Sequence, residues 1–253
     1  MTNLYYLYFR LGKQIQKMKK IIRKLLLGNV TNLSDPKLNP IQKRIQNIKA
    51  IWNNDHQDDN GIEKIVRLLL SSSQLIFPGI YIKYLASKKG TEYEDLAMDF
   101  YILTKVTMPL IIIINYWQQY PYILAIMVYV MLETVLYIPT LIFASDLFSK
   151  PRSYKRSMLL LFFNYLEIVF GFAVLYSTGD YLNQKFAHWF DAIYFSMVTS
   201  STIGFGDLYP VAAFGKFLVM TQSLLVLMFV VLFLNFYSTK IDSKGYFEKS
   251  KKD

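Results

Sequence analysis

From Val106 to Ser145 the chain carries one charged side chain, Glu133. One crossing of a bilayer takes about 20 apolar residues, so a run of about forty is long enough for two helices. The turn signal Gln118-Gln119-Tyr120-Pro121 divides it, and the spacing predicts helices over 99–117 and 121–146. Two more apolar runs follow: 157–178, whose one charge is Glu167, and 212–239, uncharged from Phe217 onward. Backbone N–H and C=O groups enter hydrocarbon only when they are satisfied within the segment, so these runs predict an all-α membrane protein.

Composition agrees, with 53% hydrophobic and 17% aromatic residues among 253. The net charge of +10 gathers in particular stretches. That suits basic cytoplasmic flanks of membrane helices better than a nucleic-acid surface, and no nucleic-acid partner is expected. Zero cysteines exclude disulfides and thiolate metal sites. Two histidines, His56 and His188, are too few for a histidine-based catalytic or metal constellation and are expected at the surface. The acidic run around Asp55, Asp58 and Asp59 lacks the closing Glu of a calcium loop and has the composition of a linker. With no nucleophile and base pair in view, an enzyme and an organic cofactor are not expected.

Between the last two apolar runs lies Thr202-Ile203-Gly204-Phe205-Gly206-Asp207. Glycine takes positive φ without steric cost, so glycines at alternate positions allow successive carbonyls to turn to one side. A row of such carbonyls can replace the hydration shell of a monovalent cation. The carbonyls of Thr202, Ile203, Gly204 and Phe205 are the candidate ion ligands. The side chains of Ile203 and Phe205 are expected to pack away from the ion as a supporting cuff. A glycine-rich turn is the competing reading, and the position between two membrane-length runs weighs against it.

This hexapeptide resembles the Thr-Val-Gly-Tyr-Gly-Asp signature of the potassium channel superfamily. The preceding residues Asp191 to Ser201 are similar to that family's pore helix, with Asp191 at the N-cap position. The resemblance covers roughly 157–238. It implies a homotetrameric potassium-channel pore of outer helix, pore helix, filter and inner helix, with K+ as the permeant ion. Tyr194, Val198, Gly206 and Asp207 would support the filter. Two departures stand out. Phe205 replaces the family's usual Tyr and lacks the hydroxyl that ties the filter to its pore helix, and Val198 stands where some members carry a Glu that partners the filter Asp. Fewer lateral hydrogen bonds are expected, and Asp207 needs another partner.

Around this pore the chain divides into an interfacial or cytoplasmic helical region (1–98), a two-helix transmembrane hairpin (99–147), a basic loop (148–156), the pore domain (157–239) and a tail (240–253). In the first region Leu11, Ile15, Met18, Ile22 and Leu25 form one helical stripe and Lys13, Lys17, Lys20 and Lys24 another, which predicts a helix lying on anionic lipid headgroups. A solvated helix packing on its own subunit is the alternative. Asn39-Pro40 reads as a helix start, followed by an apolar face of Ile41, Ile45, Ile48 and Trp52. The segment 66–86 is short and polar for a span and is expected to be interfacial or re-entrant. Basic residues at Lys150, Arg152, Lys155 and Arg156 and in the tail, against Lys185 alone in the 180–191 turret, predict cytoplasmic termini in a multi-pass protein of the cell membrane.

No helix has arginines at every third position, so a dedicated voltage sensor is not expected. The inner helix lacks a glycine after Gly215 until Gly245, and Met220, Leu224 and Met228 are its candidate cavity or gate residues. Packing of the bundle is an equal reading of those three. Glu133 and Glu167 lie at membrane depth, where a charge is costly, and are candidate acid sensors, protonated or bonded to Lys105, Asn164 or a tyrosine hydroxyl. Two functional alternatives remain beside a K+ channel. One is a nonselective cation channel; the other is a nonconducting subunit.

Overall fold

The computed structural model describes residues 13–18, 39–55, 60–144 and 153–241, without the side chains of 91, 92 and 236–241. Expectations placed on the rest of the basic N-terminal stripe, on His56, on Lys150 and Arg152 and on the tail beyond 241 lie outside the described residues. Residues 13–18 are helical. Eight longer helices follow: α1 (Pro40–Asn53), α2 (Gly61–Ser73), α3 (Pro78–Ser87), α4 (Thr91–Ile114), α5 (Pro121–Phe143), α6 (Tyr154–Tyr176), α7 (Trp189–Ser200) and α8 (Ala213–Ile241). A 3-10 turn at Trp117–Gln119 joins α4 to α5. Among the described residues the strand-like pairing is a single bridge between Leu182 and Pro210. α4, α5, α6 and α8 are each long and apolar enough to cross a membrane.

α1 begins where the sequence indicates, with the Asn39 side chain accepting from the Ile41 amide at 3.2 Å and Pro40 in the first turn. Ile51 is buried while Ile45 and Trp52 are exposed, because α1 packs against α2 and α3 along a line rotated from the purely apolar stripe. α4 begins at Thr91 rather than near 99. Its early turns carry Asp95 and Asp99, which Arg156 of α6 clamps: one nitrogen lies 2.5 Å from Asp99 and another 3.2 Å from Asp95. A residue that reads as part of a basic loop is thus an ion-pair partner inside the fold.

The segment 66–86 is not one helix. α2 and α3 meet at 59°, as a broken span or a re-entrant loop, giving four crossings, or five if the pair counts as one. Carbonyls freed at the break would be costly in hydrocarbon, and tyrosines satisfy them. The Tyr81 hydroxyl donates to the Leu75 carbonyl at 2.7 Å and the Tyr129 hydroxyl to that of Ile76 at 2.6 Å.

α6 is the hub, packing against α4, α5, α7 and α8. Ile168, Val169, Phe172, Ala173 and Val174 on it are almost fully enclosed. At Gly171 a β-carbon would lie 2.5 Å from the Met131 sulfur, so the missing side chain permits the close approach of α5. This holds α7 and the loop after it in place from behind.

Candidate functional site

α7 starts at Trp189, and Asp191 sits in its first turn rather than at the N-cap, which is His188. The Asp191 carboxylate accepts from the Ala187 and His188 amides at 2.9 Å each, satisfying donors that the helix start leaves open. His188 is exposed, as expected.

The chain leaves α7 through a tight turn in which Ser201, Thr202 and Ile203 amides donate to the carbonyls of Met197, Thr199 and Val198 at 2.9, 3.2 and 3.2 Å. Beyond it the backbone alternates. Thr202, Gly204 and Gly206 have φ of 57°, 56° and 82°, while Ile203 and Phe205 between them are not left-handed. For the glycines this is free, but Thr202 is β-branched and takes the conformation at a cost of order 1 kcal/mol or more, which the two flanking amide bonds to α7 offset.

Asp207 has found the partner that the sequence left open: the Tyr194 hydroxyl donates to it at 2.9 Å. Val198 contributes only its carbonyl. Behind the filter-like loop, Asn183 holds the exit strand, donating from its side chain to the Asp207 carbonyl and accepting from the Tyr209 amide, both at 3.0 Å. The Tyr181 carbonyl accepts from the Val211 and Ala212 amides at 3.0 and 3.2 Å. At Gly215 a β-carbon would lie 2.9 Å from that same carbonyl, so the start of α8 sits tight against the turret. Ile203 and Phe205 are exposed in the single chain, at 57% and 68%, and a cavity of about 310 Å³ opens beside Tyr194, Val198, Thr202, Gly204 and Val219.

The three gate candidates separate. Met220 and Leu224 are exposed on α8, whereas Met228 is partly buried against the core that includes Phe229 and Leu232.

The two membrane acids come together. Glu133 accepts from the Gly79 amide at 3.1 Å and from the Tyr101 hydroxyl, and lies 4.0 Å from the Lys105 ammonium. Glu167 lies 3.3 Å from the same ammonium and accepts from the Thr134 hydroxyl at 2.7 Å. Thr134 in turn accepts from Lys105. One cation thus serves two carboxylates from two different helices, with the N-terminus of α3 closing the far side. Asn164, weighed as a partner, is buried nearby in sequence on α6 but is not among these contacts. At Gly79 a β-carbon would overlap the Glu133 oxygen, so the missing side chain lets the carboxylate reach the start of α3.

Sequence reasoning missed two residues. Gln222 is fully buried on α8, and its polarity inside an uncharged run was the available signal. Asn183 carried none, being one polar residue among many in a loop.

A family model described as an ion channel matches residues 160–242, a stretch that contains α7, α8 and the 202–207 loop. No curated protein and no solved structure matches the chain. The described residues are almost wholly helical, with four helices long and apolar enough to cross a membrane, and over residues 160–242 the chain is similar to an ion channel domain.

Proposed function

We propose that the protein is a potassium-selective channel in which the carbonyls of Thr202, Ile203, Gly204 and Phe205 line the ion path. The observation that carries this reading is the alternation of left-handed residues at 202, 204 and 206, since alternate positive φ turns neighbouring carbonyls toward a common side where they can replace the hydration shell of K+. α7 aims its C-terminal end toward the inner side of that loop, where its dipole favours a cation.

One loop cannot surround an ion, so four copies about a central axis are required. The inner helix supports this. Phe217, Met220, Leu224, Leu227, Val231 and Leu234 are each at least half exposed and recur at alternating steps of three and four, a stripe suited to packing against a second copy of the same helix. Some of it, Met220 and Leu224 first, would face the water-filled cavity and gate it by dewetting. The protein would sit in the cell membrane with both termini cytoplasmic, its basic N-terminal helix on anionic lipid.

The purified chain in liposomes should pass K+ much faster than Na+ and be blocked by barium; equal fluxes would favour the second reading, a nonselective cation channel. That reading has one observation behind it. Phe205 offers no hydroxyl to tie the loop to α7.

A further inference from the structure

Gln222 joins three helices at one point. Its carboxamide oxygen accepts from the Tyr176 hydroxyl, at the end of α6, at 2.7 Å. Its nitrogen lies 3.0 Å from the Ser196 carbonyl, 2.8 Å from the Ser196 hydroxyl and 2.6 Å from the Ser200 hydroxyl, all on α7. The Ser196 hydroxyl itself donates to the Val169 carbonyl on α6 at 2.6 Å. The orientation of the amide is fixed by chemistry, because a backbone carbonyl can only accept and so must face the nitrogen.

The other enclosed side chains near it on α8 are Leu218, Leu225, Val226 and Phe229. In such a dry setting a hydrogen bond is stronger than in water, and an orphaned partner is costly. The amide gives two hydrogens and receives one, the Ser196 hydroxyl donates to Val169, and the Ser200 hydroxyl pairs in addition with Tyr165 of α6. Ser200 is the last residue of α7, two positions before the left-handed Thr202. The Ser201, Thr202 and Ile203 amides hang on carbonyls of the same final turn. A shift of α8 at the level of Gln222 therefore pulls on the turn from which the loop is suspended.

We infer that Gln222 is a positioning residue for conduction: it sets the register of the α7 end, and hence of the 202–207 carbonyls, against the inner helix, and so makes ion discrimination sensitive to where that helix stands. This rests on the loop being the ion filter.

The test compares Gln222→Leu and Ser200→Ala with the parent protein in bilayers, reading the relative permeability of Na+ to K+ from reversal potentials. Leucine keeps the volume but leaves Tyr176 and both serines without their amide; Ser200→Ala removes the link nearest the loop, together with that serine's contact to Tyr165. The permeability ratio is expected to change by at least about five-fold in Gln222→Leu, the factor carried by a single buried hydrogen bond, and in the same direction but less in Ser200→Ala. The double variant should show no more than Gln222→Leu alone. Unchanged ratios in conducting variants would overturn the inference. Should Gln222→Leu fail to assemble, Ser200→Ala decides by the same reading. A parent protein that does not discriminate K+ from Na+ would instead contradict the filter reading, which separates the two failures.

Discussion

Lys105 of α4 and Glu167 of α6 face each other at 3.3 Å, both almost fully enclosed and both within helices of membrane-spanning length. An ion pair in such a place is not strong evidence of stability, because desolvation of both partners offsets their attraction. Its removal in halves is another matter. Here a second, partly buried carboxylate, Glu133, shares the same ammonium, so the cluster cannot lose its cation without leaving two neighbouring acids unpaired.

Lys105→Met is therefore expected to destabilise the protein by about 3–5 kcal/mol, the usual cost of orphaning a buried charge. Adding Glu167→Gln should restore much of it. Thermal unfolding of the detergent-solubilised protein checks this, and a melting temperature unmoved by Lys105→Met would show that the pair holds nothing in place.

The same cluster is where acid is expected to act on the channel. The groups that face the two carboxylates are Lys105, Tyr101, Thr134 and the Gly79 amide, so titration there alters contacts among α3, α4, α5 and α6 at once. Glu167→Gln is expected to shift the pH dependence of the current. Currents of parent and variant recorded across neutral and mildly acidic pH should separate, and superimposable profiles would remove Glu167 as a sensor.

Gly79→Ala offers a way to disturb Glu133 without touching its charge. The added methyl overlaps the carboxylate oxygen, and forcing extra volume into a packed site costs typically about 1–3 kcal/mol. A fall in melting temperature is expected. A variant as stable as the parent would mean that α3 stands further from Glu133 than 3.1 Å implies.

Tyr194→Phe tests the support of the filter loop. The phenol donates to the Asp207 carboxylate at 2.9 Å, the side-chain contact that ties this part of the loop to α7. Its loss is expected to speed the decay of current during sustained opening several-fold, with the protein still assembled. Decay at the parent rate would show that Asp207 is held by other contacts.

Much of this was legible in the chain itself. The four long apolar runs became α4, α5, α6 and α8 because hydrocarbon leaves a backbone few alternatives to a helix. The alternation of Gly204 and Gly206 announced the left-handed backbone there. Thr202 was not announced, since nothing about threonine favours positive φ and only its bonds to α7 enforce it. The break between α2 and α3 was visible as polarity around Ser71 to Pro78, but its angle depends on Tyr81 and Tyr129 reaching back to cap it. Lys105 was named as one of several partners for the acids, and only the packing of α4 on α6 decides that it serves both. Asp191 lay three residues from its expected place, because a carboxylate can cap a helix from within its first turn as well as from the residue before it.

The central claim is that peptide carbonyls at 202–205 discriminate among monovalent cations. It is tested most directly by the reversal potential of the purified protein in a planar bilayer, with K+ on one side and Na+ on the other. A potential close to that set by the K+ gradient, lost on Gly204→Ala, is the expected result; a reversal near zero in the parent protein would contradict it.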